Sequence, residues 1–247
     1  MINIVIPMAG AGQRFIDSGY RKPKPFIQVN DKPMIMHVLD NLSYPNAHYI
    51  LIARREHLEN ESGLIDKINS KYDAEFITID HLSEGTACTV LHARSLINND
   101  TPLLIANSDQ IVDIDIKNFI DNAISRKLDG SIMTFKLSNG DNKWSYARID
   151  SDDYIVEVKE KVAISEYATV GIYYYAMGRF YVDSALDMII SSDRVNGEYY
   201  TCPTYNYMIR DNKKIGKYDI DYNQMHGLGT PDDLDKYIKF KSRGVSK

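Results

Sequence analysis

Between residues 2 and 106 short apolar runs alternate with longer segments of helical period. "INIVIPM", "HYILIA", "EFITID" and "PLLIANS" read as strands, and "PMIMHVLDNL", "LIDKINSKY" and "TACTVLHARSLI" as helices. That succession predicts parallel strands joined by crossover helices. The runs show little polar alternation, as strands do when helices cover both faces of their sheet. The expected fold class is α/β, three layers around a mixed, mostly parallel sheet. Ligands of such sheets bind beyond the carboxyl ends of the strands, where "MAGAGQR", "IDHLSEG" and "NSDQ" fall.

After about residue 138 the pattern changes. "SNGDNKWS" reads as a loop, "YARIDSDDYIVEVKEK" as a hairpin turning at Asp152 and Asp153, and "ATVGIYYYA" as a strand. A strand ending in "KIGKYDI" and a closing helix from "TPDDLDKYIKF" follow, and "KFKSRGVSK" reads as a solvated basic tail. The tyrosines crowded between 167 and 207 are expected in a core or an interface, which leaves a homo-oligomer open. No Pro/Gly/Ser-rich linker, repeat or low-complexity tract divides the chain. Residues 1–247 are therefore expected to form a single domain, with a first half over 1–138 and a second over 139–247 on the same sheet.

Composition narrows the function. With 247 residues, 44% of them hydrophobic and 26% charged, the chain has the balance of a soluble globular protein. A net charge of −5 carries no basic footprint for nucleic acid. No apolar run is long enough to cross a bilayer and the N-terminus lacks the zones of a signal peptide, so a cytoplasmic protein without membrane insertion is expected. Cys88 and Cys202 form no Cys-x-x-Cys pair, and the six histidines show no metal-ligand spacing. Oxygen ligands remain open.

The candidate chemistry begins in "IVIPMAGAGQRF". Gly10 and Gly12, with Ala9 and Ala11 beside them, bring a loop close to a ligand and present backbone N–H groups as an anion nest. Phe15 stands where a dinucleotide fingerprint needs its third glycine, and the Gly-Lys-Ser/Thr ending of a P-loop is absent. On the glycines alone a plain strand-to-helix turn is the simpler reading. Lys24 lies between Pro23 and Pro25, which stiffen the backbone around it and aim its ammonium at small entropic cost. Asp109, after "NS", reads equally well as a turn-forming aspartate.

In order along nearly the whole chain, "PMAGAGQRF", "KPKPFIQVNDKPMI", "EGTACTVLHA", "LLIANSDQI", "YARIDSDDYIVEVKEK", "VGIYYY", "NGEYYTCPTYN" and "GLGTPDDL" resemble landmarks of the sugar-phosphate nucleotidylyltransferases. The resemblance implies a Rossmann-like, GT-A-like fold with an added hairpin on the acceptor side, and an enzyme of the 2.7.7 type. It implies that residues 1–138 bind a nucleoside triphosphate and 139–247 a small phosphorylated sugar, polyol or metabolite, for capsule or other surface-polysaccharide assembly. Charge grows on phosphate oxygens in such a transfer, so positioned cations and Mg²⁺ are what the chemistry requires. By resemblance Arg14 takes the β and γ phosphates, Lys24 holds the reacting phosphates in line, and Asp109 is the metal carboxylate, a hard oxygen ligand suited to Mg²⁺. Gly85 and Thr86 open the helix beside the base.

Asp80 stands where many relatives carry a glutamine that reads the base. An ionised aspartate only accepts hydrogen bonds, which favours the donor-bearing edges of CTP or GTP; a solvated Asp80 with another reader is the equal alternative. On the acceptor side the resemblance points to Tyr146 and Gly171 in the wall, Glu160 on hydroxyls, Lys161 on the phosphate, and Glu198. Gly227 occupies the place of a second metal aspartate, leaving Asp221 or His226 as substitutes, the imidazole being better suited to softer metals. Two rivals stand beside this reading: a glycosyltransferase of the related fold, with "NSD" as a degraded Asp-x-Asp motif, and a non-catalytic nucleotide-binding regulator.

Overall fold

A computed structural model describes residues 1–59 and 61–244. Its thirteen strands are β1 (Ile2–Pro7), β2 (Gln28–Val29), β3 (Lys32–Pro33), β4 (Ala47–Arg54), β5 (Ala74–Ile79), β6 (Leu103–Ala106), β7 (Gln110–Val112), β8 (Gly130–Lys136), β9 (Ser145–Ile149), β10 (Ile155–Glu160), β11 (Tyr167–Tyr175), β12 (Ile215–Asp219) and β13 (Met225–Gly227). Nine of them form one sheet in the order β10-β9-β11-β6-β1-β4-β5, with β8 pairing both β11 and β12. β6, β1, β4 and β5 run parallel, while β11 enters antiparallel beside β6. The sheet is thus mixed, and it takes strands from both sides of residue 138.

Why the early strands read as unbroken apolar runs is visible in where their side chains go. Ile2, Ile4 and Ile6 of β1 enter one core, with Leu39 and Ile68 of the helices at 34–41 and 62–71 and Phe119 of the helix at 116–125. Val5 of the same strand enters the other, with Val90, Val182 and Met208 of the helices at 86–91, 178–190 and 204–210. Alternate residues serve opposite faces and both faces are covered, so the strand is apolar apart from the buried Asn3 near its start. Full burial of each such aliphatic side chain contributes about 1.5–3 kcal/mol.

The expected hairpin is β9 and β10. Asp153 is left-handed (φ 66°) and the Asp150 carboxylate accepts from the N–H groups of Asp152 and Tyr154 at 3.0 and 2.9 Å, which closes the turn where expected. Of the crowded tyrosines, Tyr173, Tyr174, Tyr175, Tyr181, Tyr199, Tyr205 and Tyr207 are buried. One difference concerns the end of an element. The closing helix runs from Pro231 to Gly244, so Lys239–Gly244 are helical where a tail was expected, and Phe240 lies 4.6 Å from the His226 ring. Val245, Ser246 and Lys247 of that stretch lie outside the described residues.

Candidate active site

Loops at the carboxyl ends of β1, β5 and β6 enclose a cleft of about 380 Å³ lined by Met8, Ala9, Gly10, Ala11, Lys24, Ser83, Gly85, Thr86, Asn107, Ser108, Asp109, Glu198 and Tyr200, among others. At its centre the Lys24 ammonium donates to Asp109 Oδ2 at 2.7 Å, each side chain about one-fifth exposed. The two come together from 85 residues apart. Lys24 opens a 3-10 turn that follows Pro23, and a Cβ on Gly12 would lie 3.3 Å from the Lys24 Cβ, so the glycine loop and the lysine stem pack directly on each other. Asp109 follows β6 and precedes β7, and the Leu228 N–H donates to its carbonyl at 2.7 Å.

Gly85 has φ 109°, and a side chain there would collide with the backbone N and O of Tyr199. The approach is used: the Ala87 N–H donates to the Tyr199 carbonyl at 3.0 Å and the Tyr199 N–H to that of Glu84 at 2.8 Å. The start of the helix at 86–91 is thereby clamped to the segment that carries Glu198 and Tyr200.

A second cleft, about 250 Å³, adjoins the first and shares Thr86, Asn107 and Tyr200 with it; Lys143, Trp144, Ser145, Glu160, Lys161, Thr169, Gly171 and Cys202 also line it. Ser145 Oγ donates to Glu160, and burial raises the Glu160 pKa in spite of that hydrogen bond and of the Lys161 charge. Lys161 donates to the Tyr200 hydroxyl at 2.5 Å, and that hydroxyl donates to Glu198. Burial and then Glu198 push the Tyr200 pKa up, so the phenol stays protonated. Gly171, φ 91°, sits where β11 changes partners, from Ala147 and Tyr146 of β9 to Ala106 of β6. Its carbonyl accepts from the Asn107 N–H at 3.1 Å. A Cβ on it would collide with the side chains of Asn107 and Gln110, which bond each other at 3.1 Å between the two clefts.

The structure therefore brings together Ala9, Gly10, Ala11, Lys24, Gly85, Thr86, Asp109 and Glu198 in the first cleft, and Glu160, Lys161 and Gly171 in the second. Gly12 backs the first cleft through Lys24. Arg14 stands exposed on the helix at 13–17, outside the cleft lining. Asp80 is also outside: its carboxylate accepts from Arg55 Nε at 2.7 Å, a bond that lowers its pKa. Tyr146 is fully buried, its hydroxyl donating to the Asp141 carbonyl at 2.9 Å. Strand alternation sends Ser145 to the cleft and Tyr146 to the core. His226 pairs with Asp113 at 2.6 Å, and Asp221 caps the 3-10 turn at 222–224. Neither lines the cleft that holds Asp109. Asn107, Gln110, Ser145 and Tyr200 were not anticipated; nearness in sequence to Asp109, Tyr146 and Glu198 was the available signal.

Among the described residues no group of three or more His, Cys, Asp or Glu side chains gathers to hold a metal. The donor set at Asp109 is one carboxylate beside the Asn107 amide, all oxygen, which fits a Mg²⁺ that keeps waters and shares phosphate ligands. No helix among the described residues is long and apolar enough to cross a membrane.

Comparison with known proteins bears on the family and the fold. The chain is 25% identical over 253 residues to the bifunctional protein GlmU of Clostridium perfringens (strain SM101), covering 94% of this chain and 50% of that protein. It is 24% identical to the catalytic subunit beta of mannose-1-phosphate guanylyltransferase from Dictyostelium discoideum, covering 69% and 47%. The chain spans about half the length of these curated relatives. Among solved structures, a nucleoside-diphosphate-sugar pyrophosphorylase from Vibrio cholerae RC9 superposes with a TM-score of 0.82 at 23% identity, covering 96% of this chain and 99% of that one. A UDP-glucose pyrophosphorylase in complex with UDP-glucose gives 0.80 at 17% identity, covering 99% and 100%. Residues 4–234 match the nucleotidyl transferase family model, and the chain belongs to that family.

Proposed function

We propose that the chain is a nucleotidylyltransferase that moves a nucleoside monophosphate from a triphosphate to a small phosphorylated acceptor. The observation that carries this reading is the Lys24–Asp109 pair in a cleft that opens directly onto a second, lysine-bearing one. An oxygen of the acceptor's phosphate monoester forms a bond to the α-phosphorus, the bond from that phosphorus to its α–β bridging oxygen breaks, and pyrophosphate leaves with the electron pair. The acceptor phosphate is already anionic, so no general base is required.

In this scheme the Gly10 loop takes the phosphates through backbone N–H groups, Lys24 holds them in line, and Arg14 reaches those that extend beyond the cleft. Lys161 orients the acceptor phosphate, with Glu160 and Glu198 on its hydroxyls. Asp109 would hold Mg²⁺, which supplies charge neutralisation on the non-bridging and leaving oxygens when bound. A CTP or GTP preference set by Asp80 requires its carboxylate to leave Arg55 and turn inward. Likeness does not choose the base: relatives and neighbours are named for guanylyl transfer and for UDP-glucose. The proposed role is activation of a sugar, polyol or similar unit for surface-polysaccharide assembly.

The test is pyrophosphate release with CTP, GTP, UTP and dTTP, each against phosphorylated sugars and polyols, with and without Mg²⁺. Release that needs both substrates is the expected result. Transfer from a preformed nucleotide sugar without pyrophosphate would favour the glycosyltransferase, and nucleotide binding without any turnover the regulator.

A further inference from the structure

We infer that Lys24 is the resident cation of Asp109 in the nucleotide-free protein, and that Lys24 and a divalent metal exclude each other at that carboxylate until a triphosphate draws the lysine away. The inference rests on the proposed function, which supplies the triphosphate. Lys24 lies in direct hydrogen-bond contact with Asp109 Oδ2, and with both side chains about four-fifths covered the pair is poorly screened. A Cβ at Gly229 would come to 3.0 Å from the same oxygen, so the Gly229 segment also passes close to it.

Among the described residues lining that cleft the other carboxylate is Glu198, and it is already engaged by the Tyr200 hydroxyl. β13 lays Gly227 opposite Gln110, next in sequence to Asp109, and the space where a Gly227 side chain would point is open. The carboxylates and imidazole that follow β12 are engaged elsewhere, Asp221 in a cap and His226 with Asp113. A single carboxylate already neutralised by an ammonium is a poor Mg²⁺ ligand, because the metal must give up water to compete with a formed ion pair. Arrival of a triphosphate changes the balance. Its oxygens offer Lys24 a second anionic partner and offer the metal further hard ligands, so the lysine moves from Asp109 to phosphate as the metal takes its place. The order of events follows: metal enters with nucleotide, never before it.

The test reads metal binding, not turnover. Mn²⁺ is titrated into nucleotide-free protein by calorimetry and by loss of its free paramagnetic signal, in the native chain and in Gly227→Asp, each with and without Lys24→Met. Native protein is expected to show no measurable binding. Gly227→Asp fills open space and supplies the second carboxylate; removing Lys24 in that background should tighten Mn²⁺ by at least about tenfold. Asp109→Asn should abolish that binding. Lys24→Gln repeats the comparison should the methionine variant fold poorly. Tight Mn²⁺ binding to the native nucleotide-free chain, equal affinity with and without Lys24, or no binding to Gly227→Asp/Lys24→Met would each overturn the inference. Pyrophosphate release is measured separately, so a protein that turns over while Mn²⁺ ignores Lys24 refutes the exclusion and leaves the proposed function standing.

Discussion

The two clefts sit side by side and are built in opposite ways. The first is made of loop backbone at the ends of parallel strands, with glycines where a ligand approaches and a single ion pair at its centre. The second is made of side chains from a hairpin and its neighbours, already bonded to one another, Ser145 to Glu160 and Lys161 to Tyr200, whose hydroxyl in turn donates to Glu198 of the first. A ligand entering the first meets backbone donors held in place by the fold and has one existing ion pair, Lys24 with Asp109, to displace. A ligand entering the second must replace hydrogen bonds that already exist, so its affinity is a difference between two networks. The first arrangement suits a group common to many substrates, such as a phosphate chain, and the second suits discrimination.

The comparison is broken most directly at the ion pair. Lys24→Ala and Asp109→Asn are each expected to lower turnover by at least about a hundredfold, because both act on charge that grows in the transition state. Stability should fall by about 1–3 kcal/mol, since each variant leaves a four-fifths-covered partner without its counter-charge. Steady-state pyrophosphate release and denaturant unfolding together check this. Near-normal turnover in both variants would move the reacting centre out of the first cleft.

The clefts also differ from the wall they share. Gly85 and Gly171 are left-handed and press against Tyr199 backbone and the Asn107–Gln110 pair, whereas a Cβ on Gly10 would meet nothing within 4 Å. Gly85→Ala and Gly171→Ala should each cost about 2–4 kcal/mol in denaturant unfolding through strain and collision, and Gly10→Ala less than about 1 kcal/mol. A large loss at Gly10, or none at Gly171, would mean that the open cleft and the rigid wall have been assigned the wrong way round.

Much of this division follows what a sequence can express. The early strands and helices were legible because a sheet covered on both faces writes itself as apolar runs separated by helical period. β8 and the helices at 178–190 and 204–210 lie among aromatic and mixed segments, whereas the helix at 116–125 buries Ile116, Phe119, Ile120 and Ala123 at helical spacing, a signal the sequence did carry. In the site, Lys24 is marked by its two flanking prolines, whereas Asp109 on its own residues reads equally well as a turn aspartate and is singled out by the family resemblance. Tyr146 was assigned to a wall and lies in the core, since motif position does not fix which way a strand residue faces. Tyr200 went unnoticed because its partners are 39 residues away at Lys161 and two away at Glu198, and only the fold joins them.

Glu160 sharpens the contrast from the side of the second cleft. Its pKa is raised above the ordinary value of 4.5, chiefly by burial. A carboxyl that binds its proton more tightly folded than unfolded stabilises the fold at low pH, and that contribution is lost as pH rises from the ordinary value through the raised one. Glu160→Gln has no such loss and can still accept from Ser145 through its amide oxygen. The variant should therefore gain stability relative to the native chain as pH rises through that window, while the acceptor KM rises by about tenfold from the lost charge. Unfolding curves on either side of the window test the first half; a variant less stable than native at neutral pH would show that Glu160 is held as a structural carboxylate.

The smallest expected effect is at Tyr200, and it asks whether the two clefts communicate. Its hydroxyl accepts from Lys161 and donates to Glu198, its ring lies 4.4 Å under the Lys161 ammonium, and it lines both clefts. Tyr200→Phe keeps the ring and removes the bridge, leaving Lys161 charged, over an aromatic face and free to turn. Loss of one orienting hydrogen bond should raise the acceptor KM by about threefold with kcat unchanged, and Tyr200→Ala, which also removes the ring, should raise it further. In the proposed scheme the nucleotide meets backbone donors that do not depend on this hydroxyl, so the triphosphate KM should stay within about twofold in the phenylalanine variant. Measuring both constants in one series separates the alternatives: a shift confined to the acceptor keeps the clefts independent, whereas equal shifts in both would make Tyr200 a hinge that adjusts the two sites together.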